Sequence, residues 1–254
     1  MKISVITPSF NQGPFIERTI KSVLNQAGDF ELEYHVVDGG STDGTLDVLR
    51  RYESRGVQWR SEPDRGQSDA INKGLSLTTG QVLAWLNSDD TYLPGALAAV
   101  AAAYRQSPFA WCFGNCRIVD EHDAEIRRAI TRYKAWQSRH YAYRRLLRRD
   151  FIPQPAVFFA RAAYEETGAI NGDLTYSMDY DYWLRLGRRW APRYLDQFLA
   201  NFRWHAESKN GAAYRAAAWE TLQTARHHAP RGAGFDLLLH GVHYCVLNVL
   251  YRFL

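Results

Sequence analysis

The chain has 254 residues, of which 46% are hydrophobic and 14% aromatic, enough to build a substantial core in one large domain with room for a helical extension. A formal net charge of +4 is mild for that length and does not by itself argue for nucleic acid. Three cysteines with no second pair around "CFGNC" exclude a disulfide framework and a four-ligand zinc site, leaving reduced thiols.

In chain order, the opening "MKISVITPSF" carries an apolar run too short for a signal peptide and reads as a buried first strand, Ile3 to Thr7. "PFIERTIKSVLNQ" places Ile16, Ile20, Val23 and Leu24 on one helical face. A second strand follows at Tyr34 to Asp38, a helix in "TLDVLRRY", a third strand at Val57 to Arg60 and a fourth at Val82 to Leu86. Short apolar runs alternating with helix-period segments predict an α/β fold with a mostly parallel sheet covered by helices. An Ala-rich helix near Leu97 to Tyr104 ends this half. Beyond it come a strand in "FAWCFGNCRIV", a basic stretch from Arg127 to Arg149, a strand in "PAVFFAR" and a helix starting around "SMDYDYWLRLGRR". The chain from Ala212 on reads as helical. No apolar stretch reaches the length of a membrane span, "LLLHGVHYCVLNVLYRFL" coming closest.

Four successive strands end in polar residues, where ligands of open α/β sheets bind. The first ends with Thr7, Pro8, Ser9 and Asn11; the second with Asp38; the third runs into "SEPDRGQSDAINKG", which contains Asp69; the fourth ends with the adjacent carboxylates Asp89 and Asp90. A glycine-rich turn with Ser41, Thr42 or Asp43 capping the next helix accounts for "DGGSTDGT" but leaves Asp38 without a local duty, so a base or ribose hydroxyl is its expected partner. Neither a Walker loop nor a G-x-G-x-x-G run is present. A bound diphosphate therefore needs another counter-charge, which a divalent cation held at Asp89 or Asp90 would supply.

"ISVITPSFNQGPFIERTIKSVLNQ", "VVDGGSTDGT", "SEPDRGQSDAINKG" and "LNSDD", in this order, resemble the nucleotide-sugar half of family 2 glycosyltransferases of the GT-A fold, bacterial surface-polysaccharide type. The resemblance implies that Thr7, Pro8, Ser9, Asp38, Asp69 and Asp89 bind the nucleotide, with Asp38 near the base and Asp89 facing the ribose. It implies that Asp90 holds Mn²⁺ or Mg²⁺ and that His205, in an Arg-x-His-x-x-Ser segment, completes the metal shell. The helix beginning at "MDYDYW" resembles the family's Glu-Asp-x-x-hydrophobic-Trp start, with Met178 in the Glu position, and makes Asp179 rather than Asp181 the base. An arginine of the family's Ala-Arg-Asn is Ile71 here, with Arg65 and Lys73 nearby.

The reading is an inverting, metal-dependent, hexosyl-type glycosyltransferase moving a sugar from a nucleotide-diphosphate donor, UDP-sugar favoured, to a glycan or polyprenyl-diphosphate-linked acceptor in polysaccharide biosynthesis. A Rossmann-like GT-A catalytic domain is expected over 1–211, with a donor half at 1–105 and an acceptor half at 106–211, followed by a helical extension at 212–254. The alternatives are a sugar nucleotidyltransferase and a non-catalytic glycan- or lipid-binding protein on the same fold. The cations of Arg127 to Arg149, interleaved with Tyr133, Trp136, Tyr141 and Tyr143, together with the C-terminal helix, predict peripheral attachment to an anionic membrane surface on the cytoplasmic face. No single-strand-binding module accompanies these cations, so no nucleic-acid partner is expected.

Overall fold

The computed structural model describes residues 1–205 and 214–250. Strand β1 (Lys2–Ser9) pairs in parallel with β2 (Glu31–Asp38), residue for residue from Lys2↔Glu31 to Ser9↔Asp38. On its other side it pairs with β4 (Val82–Trp85), while β3 (Gln58–Ser61) adds outside β2, with Asp38 opposite Ser61. The inner strands are continuous apolar runs because helices cover both faces of the sheet. Helices α1 (Ile16–Leu24), α2 (Thr45–Glu53) and α3 (Gln67–Leu77) are the crossovers. Ile16, Ile20 and Val23 of α1 are buried as their spacing predicts, joined by Thr19. α3 lies so close to β1 that a Cβ on Gly74 would stand 2.4 Å from the Ile6 side chain.

Beyond β4 the sheet becomes mixed. The strand order is β3-β2-β1-β4-β8-β6-β9-β5, with β5 (Thr91–Tyr92), β6 (Trp111–Val119), β8 (Val157–Ala160) and β9 (Arg193–Arg203). β8 runs antiparallel to both β4 and β6, β9 parallel to β6 and β5 antiparallel to β9. A short β7 (Glu125–Ile126) flanks β6. The parallel character read from the sequence thus belongs to β1–β4 and the β6–β9 pair, because the connections into and out of β8 reverse the chain direction.

The covering helices of this half are α4 (Ala96–Gln106), α5 (Arg128–Arg139), α6 (Tyr143–Arg148), α7 (Arg161–Thr167) and α8 (Met178–Arg189), followed by α9 (Tyr214–His228) and α10 (Gly234–Leu250). The indole of Trp183 in α8 stacks on Trp85 of β4 at 5.2 Å and on Trp111 of β6 at 6.1 Å. Aromatic bodies of this size dominate a core. They fix α8 against the sheet, and with it the residues of its first turn.

The C-terminal helices share that core: Ala225 of α9 and Ala233, just before α10, belong to the same apolar cluster as Trp85 and Trp183. The expected boundary between 211 and 212, Ser208 of the Arg-x-His-x-x-Ser segment and the final residues of the C-terminal run lie outside the described residues. α10 docks on α6 through Arg148 Nε to Asp236 Oδ1 at 2.6 Å, Arg144 to Asp236 at 3.7 Å, an Arg149–His243 contact and His240 Nδ1 to the Leu147 carbonyl at 2.7 Å. Three of the arginines expected at a membrane surface are thus partnered by a buried carboxylate and an imidazole on α10.

Candidate active site

Parallel register puts Ser9, Asp38 and Ser61 side by side at the carboxyl edge of the sheet. The Leu86 N–H donates to the Ile6 carbonyl at 2.8 Å, so β4 delivers Asn87–Ser88–Asp89–Asp90 to the same edge. A turn closed from Asp90 N–H to the Asn87 carbonyl at 3.1 Å makes the four side chains alternate. Asn87 and Asp89 are partly exposed, whereas Ser88 and Asp90 are buried.

The two adjacent carboxylates therefore do different work. Asp90 is completely buried, and its Oδ1 accepts from the Arg203 backbone N–H at 2.9 Å, locking the end of β9 to this turn. Its Oδ2 has no hydrogen-bond partner within bonding distance among the described residues, although the Asn87 side chain lies close enough to lower its pKa slightly. Burial first, and then the negative charge of Asp89, push the Asp90 carboxyl well above its usual range. Asp90, the expected metal ligand, is thus turned inward here. Asp89 faces out instead, and its Oδ2 lies 3.1 Å from His205 Nε2. Arg203 braces the pair by donating from Nε to the Asp89 carbonyl at 2.9 Å. Phe15 packs against the His205 ring with centroids 4.6 Å apart.

Among the described residues no group of three or more His, Cys, Asp or Glu is placed to hold a metal ion. One carboxylate and one imidazole nevertheless fit a Mg²⁺- or Mn²⁺-type cation, since such ions commonly take one or two protein ligands and fill the remaining positions with substrate phosphate oxygens and water.

The nucleotide-side residues divide in the same way. Thr7 is completely buried and its hydroxyl shares a hydrogen bond with Tyr34 Oη at 3.0 Å, so its side chain belongs to the core. Asp38 is also completely buried. Its Oδ2 accepts from Gly40 N–H at 3.0 Å, Ser41 N–H at 2.8 Å and Ser61 Oγ at 2.7 Å, and its Oδ1 accepts from Ser41 Oγ. Asp38 does have a local duty, contrary to the sequence reading: it folds the glycine turn, in which Gly40 adopts φ +85°, a conformation that favours glycine. Pro8 is buried. Ser9 keeps a hydroxyl without a hydrogen-bond partner among the described residues at the strand end. Asp69, on the first turn of α3, is paired with Lys73 and Arg65, each at 3.3 Å, and Lys73 also pairs with Glu62 at 3.0 Å.

The first turn of α3 ties the donor edge to α8. Gln67 donates to Asn87 Oδ1 at 2.7 Å and the Ser68 hydroxyl contacts Met178 Sδ at 2.7 Å. At the start of α8 the two aspartates separate by environment. Asp181 is buried between His228 Nε2 at 2.7 Å and Arg185 Nε at 2.8 Å. Burial raises its carboxyl, and the His228 hydrogen bond and Arg185 charge outweigh that and hold it below the usual range. Asp179 remains partly exposed and accepts from the Tyr180 N–H at 2.8 Å. Burial of its carboxyl raises its pKa. Asp181 is thus held in an ionic network, while Asp179 is the less engaged carboxylate of the two.

Three residues of this site went unread in the sequence. Asp150 carries a carboxyl pushed up to about 7, by burial and then by the charge of Asp179, and Lys134 on α5 opposes that rise in both. The available signal was that Asp150 is the first acid after Glu125, closing a long basic run. The third is Glu220 of α9, whose Oε1 accepts from the Tyr176 and Ser177 N–H groups at 2.7 Å each. A carboxylate from the C-terminal extension thus caps the turn that launches α8, a position its dipole favours.

A mixed sheet with this edge, a carboxylate–imidazole pair at its mouth and a lone aspartate on the facing helix define a GT-A-type glycosyltransferase fold. The chain belongs to glycosyl transferase family 2, whose profile its residues 4–167 match. It is 32% identical over 189 residues to an uncharacterized glycosyltransferase of Mycobacterium tuberculosis, covering 72% of this chain and 68% of that protein. It is 28% identical over 248 residues to the putative teichuronic acid biosynthesis glycosyltransferase TuaG of Bacillus subtilis, covering 89% and 95%. Among solved structures, S. aureus TarS 1-349 in complex with UDP-GlcNAc superposes with a TM-score of 0.71 at 18% identity, over 93% of this chain and 69% of that one. The mannosyltransferase PcManGT from Pyrobaculum calidifontis, in complex with GDP-Man and Mn²⁺, does so with 0.65 at 18% identity, over 94% and 73%. These structural likenesses concern the fold.

Proposed function

We propose that this protein is a metal-dependent inverting glycosyltransferase that moves a hexosyl group from a UDP-sugar to a glycan or lipid-linked glycan acceptor in the assembly of a bacterial polysaccharide. The observation that carries the reading is the Asp89–His205 pair at 3.1 Å, a partly exposed carboxylate beside a buried imidazole at the sheet edge where an α/β fold receives a nucleotide. A divalent cation held there would neutralise the diphosphate of donor and leaving group. UDP-GlcNAc in TarS, GDP-Man with Mn²⁺ in PcManGT and the name of TuaG support the donor class, the cation and the pathway type.

Asp179 takes the proton of the acceptor hydroxyl. That oxygen forms a bond to the anomeric carbon as the bond to the diphosphate oxygen breaks, and the nucleoside diphosphate leaves with the electron pair. Attack from the face opposite the leaving group inverts the anomeric centre. Ser9 and Asp69 lie at the same edge and serve the nucleotide, with Asn87 beside them.

A peripheral position on the cytoplasmic face of a membrane has one supporting observation. No helix among the described residues is long and apolar enough to cross a membrane, yet Phe235, Leu238 and Val242 form an exposed stripe along α10 at 65%, 62% and 52% exposure, on the side not docked to α6.

The test is a nucleotide-sugar screen read by thermal stabilisation with and without Mn²⁺, since a ligand that binds only the folded state stabilises it in proportion to its occupancy. Metal-dependent stabilisation by a UDP-sugar, followed by sugar transfer, is the expected result. Nucleotidyl transfer from a nucleoside triphosphate, or metal-independent glycan binding with no donor bound, would replace the proposal.

A further inference from the structure

We propose that the groove between α5 and the β6–β9 strands is a binding site for a phosphoryl group carried on an apolar or ring-containing ligand, separate from the donor edge. A hollow of about 320 Å³ is lined by Arg117, Glu125, Arg128, Thr131, Arg132 and Phe198. A second of about 350 Å³ continues it past Arg139 and shares Arg132 and Phe198. The cations outnumber the acids, and both acids are already matched: Glu125 pairs with Arg128 at 3.5 Å and Asp196 with Arg139 at 3.0 Å.

Two guanidinium groups are thereby left for a ligand. Arg132 makes no ion pair among the described residues, and Arg117 lies over the Phe198 ring at 5.3 Å, which holds it at the groove wall without spending its charge. The independent observation is Thr131. It is only 4% exposed, it lines the hollow, and its hydroxyl has no hydrogen-bond partner among the described residues. A buried orphan donor is costly unless a ligand or water meets it. Two planar forks and one buried hydroxyl among the residues lining one hollow match the acceptor oxygens of a phosphoryl group, and Phe198, 39% exposed, offers a contact for the apolar part that carries it. A carboxylate offers fewer acceptor oxygens for the same set, and a neutral sugar leaves both guanidinium groups unmatched.

The probe is phenyl phosphate, titrated into the whole protein in the presence and absence of saturating UDP and Mn²⁺. A parallel arm measures co-sedimentation with phosphatidylcholine vesicles doped with phosphatidic acid. Binding should weaken about tenfold for Arg117→Gln and again for Arg132→Gln, the loss of one charge-assisted bond each. It should weaken by a smaller factor for Thr131→Val and stay unchanged in an Arg50→Gln/Arg51→Gln control of equal net charge. UDP should leave the affinity as it is. Binding of the soluble probe alone would assign the site to a soluble phosphorylated ligand, and arginine-dependent vesicle binding would assign it to a lipid head group. Either outcome supports the site. Displacement by UDP, equal loss in the Arg50/Arg51 control, or undiminished binding in the Arg117/Arg132 double variant at unchanged melting temperature overturns it. Failure of donor binding with phosphate binding intact would sink the proposed function and leave this site standing.

Discussion

His205 and Asp89, 116 residues apart in the chain, meet at 3.1 Å because β9 pairs with β5 immediately after the Asp89 turn, Thr91 standing opposite Asn201. Asp89→Ala and His205→Ala should each abolish Mn²⁺-dependent stabilisation by a UDP-sugar, and Asp89→Ala, at a partly exposed position, should leave the melting temperature of the free protein within about 2–4 °C, as for changes of up to about 1 kcal/mol in a chain of this size. Full metal dependence retained in both variants would place the cation elsewhere.

Asp90 should behave as a structural group. Asp90→Ala removes the acceptor of the buried Arg203 N–H and is expected to cost about 1–3 kcal/mol in urea unfolding. Asp90→Asn keeps an acceptor and lacks the charge. Because the folded carboxyl is raised, its contribution is full below the unfolded value of about 3.9 and is lost as pH rises through the folded value. The stability of Asp90→Asn relative to wild type should therefore increase from acid to neutral pH. A difference independent of pH would contradict the buried, raised carboxyl.

Asp179→Asn should keep donor affinity and lose about 10²–10⁴-fold in transfer rate, and the wild-type product should show the inverted anomer by NMR. Burial, and then the charge of Asp179, push the Asp150 carboxyl up to about 7. The pH–rate profile should accordingly carry a step in that region that disappears in Asp150→Asn and moves to higher pH in Lys134→Met, which removes the cation opposing the rise. An unaltered profile in both variants would detach this pair from the chemistry.

Asp181→Asn should cost about 3 kcal/mol, as expected when one partner of a buried ionic network is removed. The folded Asp181 carboxyl is held low, so its stabilisation is present above the unfolded value of about 3.9 and fades as pH falls through the folded value. The variant should differ least from wild type in strong acid. Glu220→Ala acts at a distance: by releasing the turn before α8 it should lower the transfer rate about tenfold or more without changing donor affinity. Equal losses in rate and donor binding would mean that the whole edge had collapsed.

Replacing Arg144, Arg145, Arg148 and Arg149 together by Gln should lower the unfolding midpoint, because three of them hold α10 and Arg145 lies over Trp136 at 5.8 Å. Membrane attachment through α10 instead predicts that Phe235→Ser/Leu238→Ser abolishes vesicle co-sedimentation at unchanged stability. Salt-sensitive binding that survives the serine changes would return the contact to the basic segment.

Local pattern determined much of this protein. Continuous apolar runs ending in polar residues specify β1–β4, the 3.6-residue spacing of Ile16, Ile20 and Val23 specifies the face of α1, and the ordered motifs specify the family. The start of α8 was legible because its apolar register is strong and Trp183 anchors it. Only the tertiary structure decided which carboxylate of an adjacent pair is partly exposed, since a turn that alternates Asn87, Ser88, Asp89 and Asp90 buries the last and leaves Asp89 at the surface. Strand β9 escaped the sequence because "RYLDQFLANFR" has no two-residue alternation, the β6–β9 register being shifted on either side of Asn115. Without β9 neither the inward anchoring of Asp90 nor the Asp89–His205 pair could be read. The saturation of Asp38 by Ser61, the cap supplied by Glu220 and the capture of the α6 arginines by Asp236 and His243 are all contacts between segments distant in the chain. Residue type proposes such partners, and only packing chooses among them.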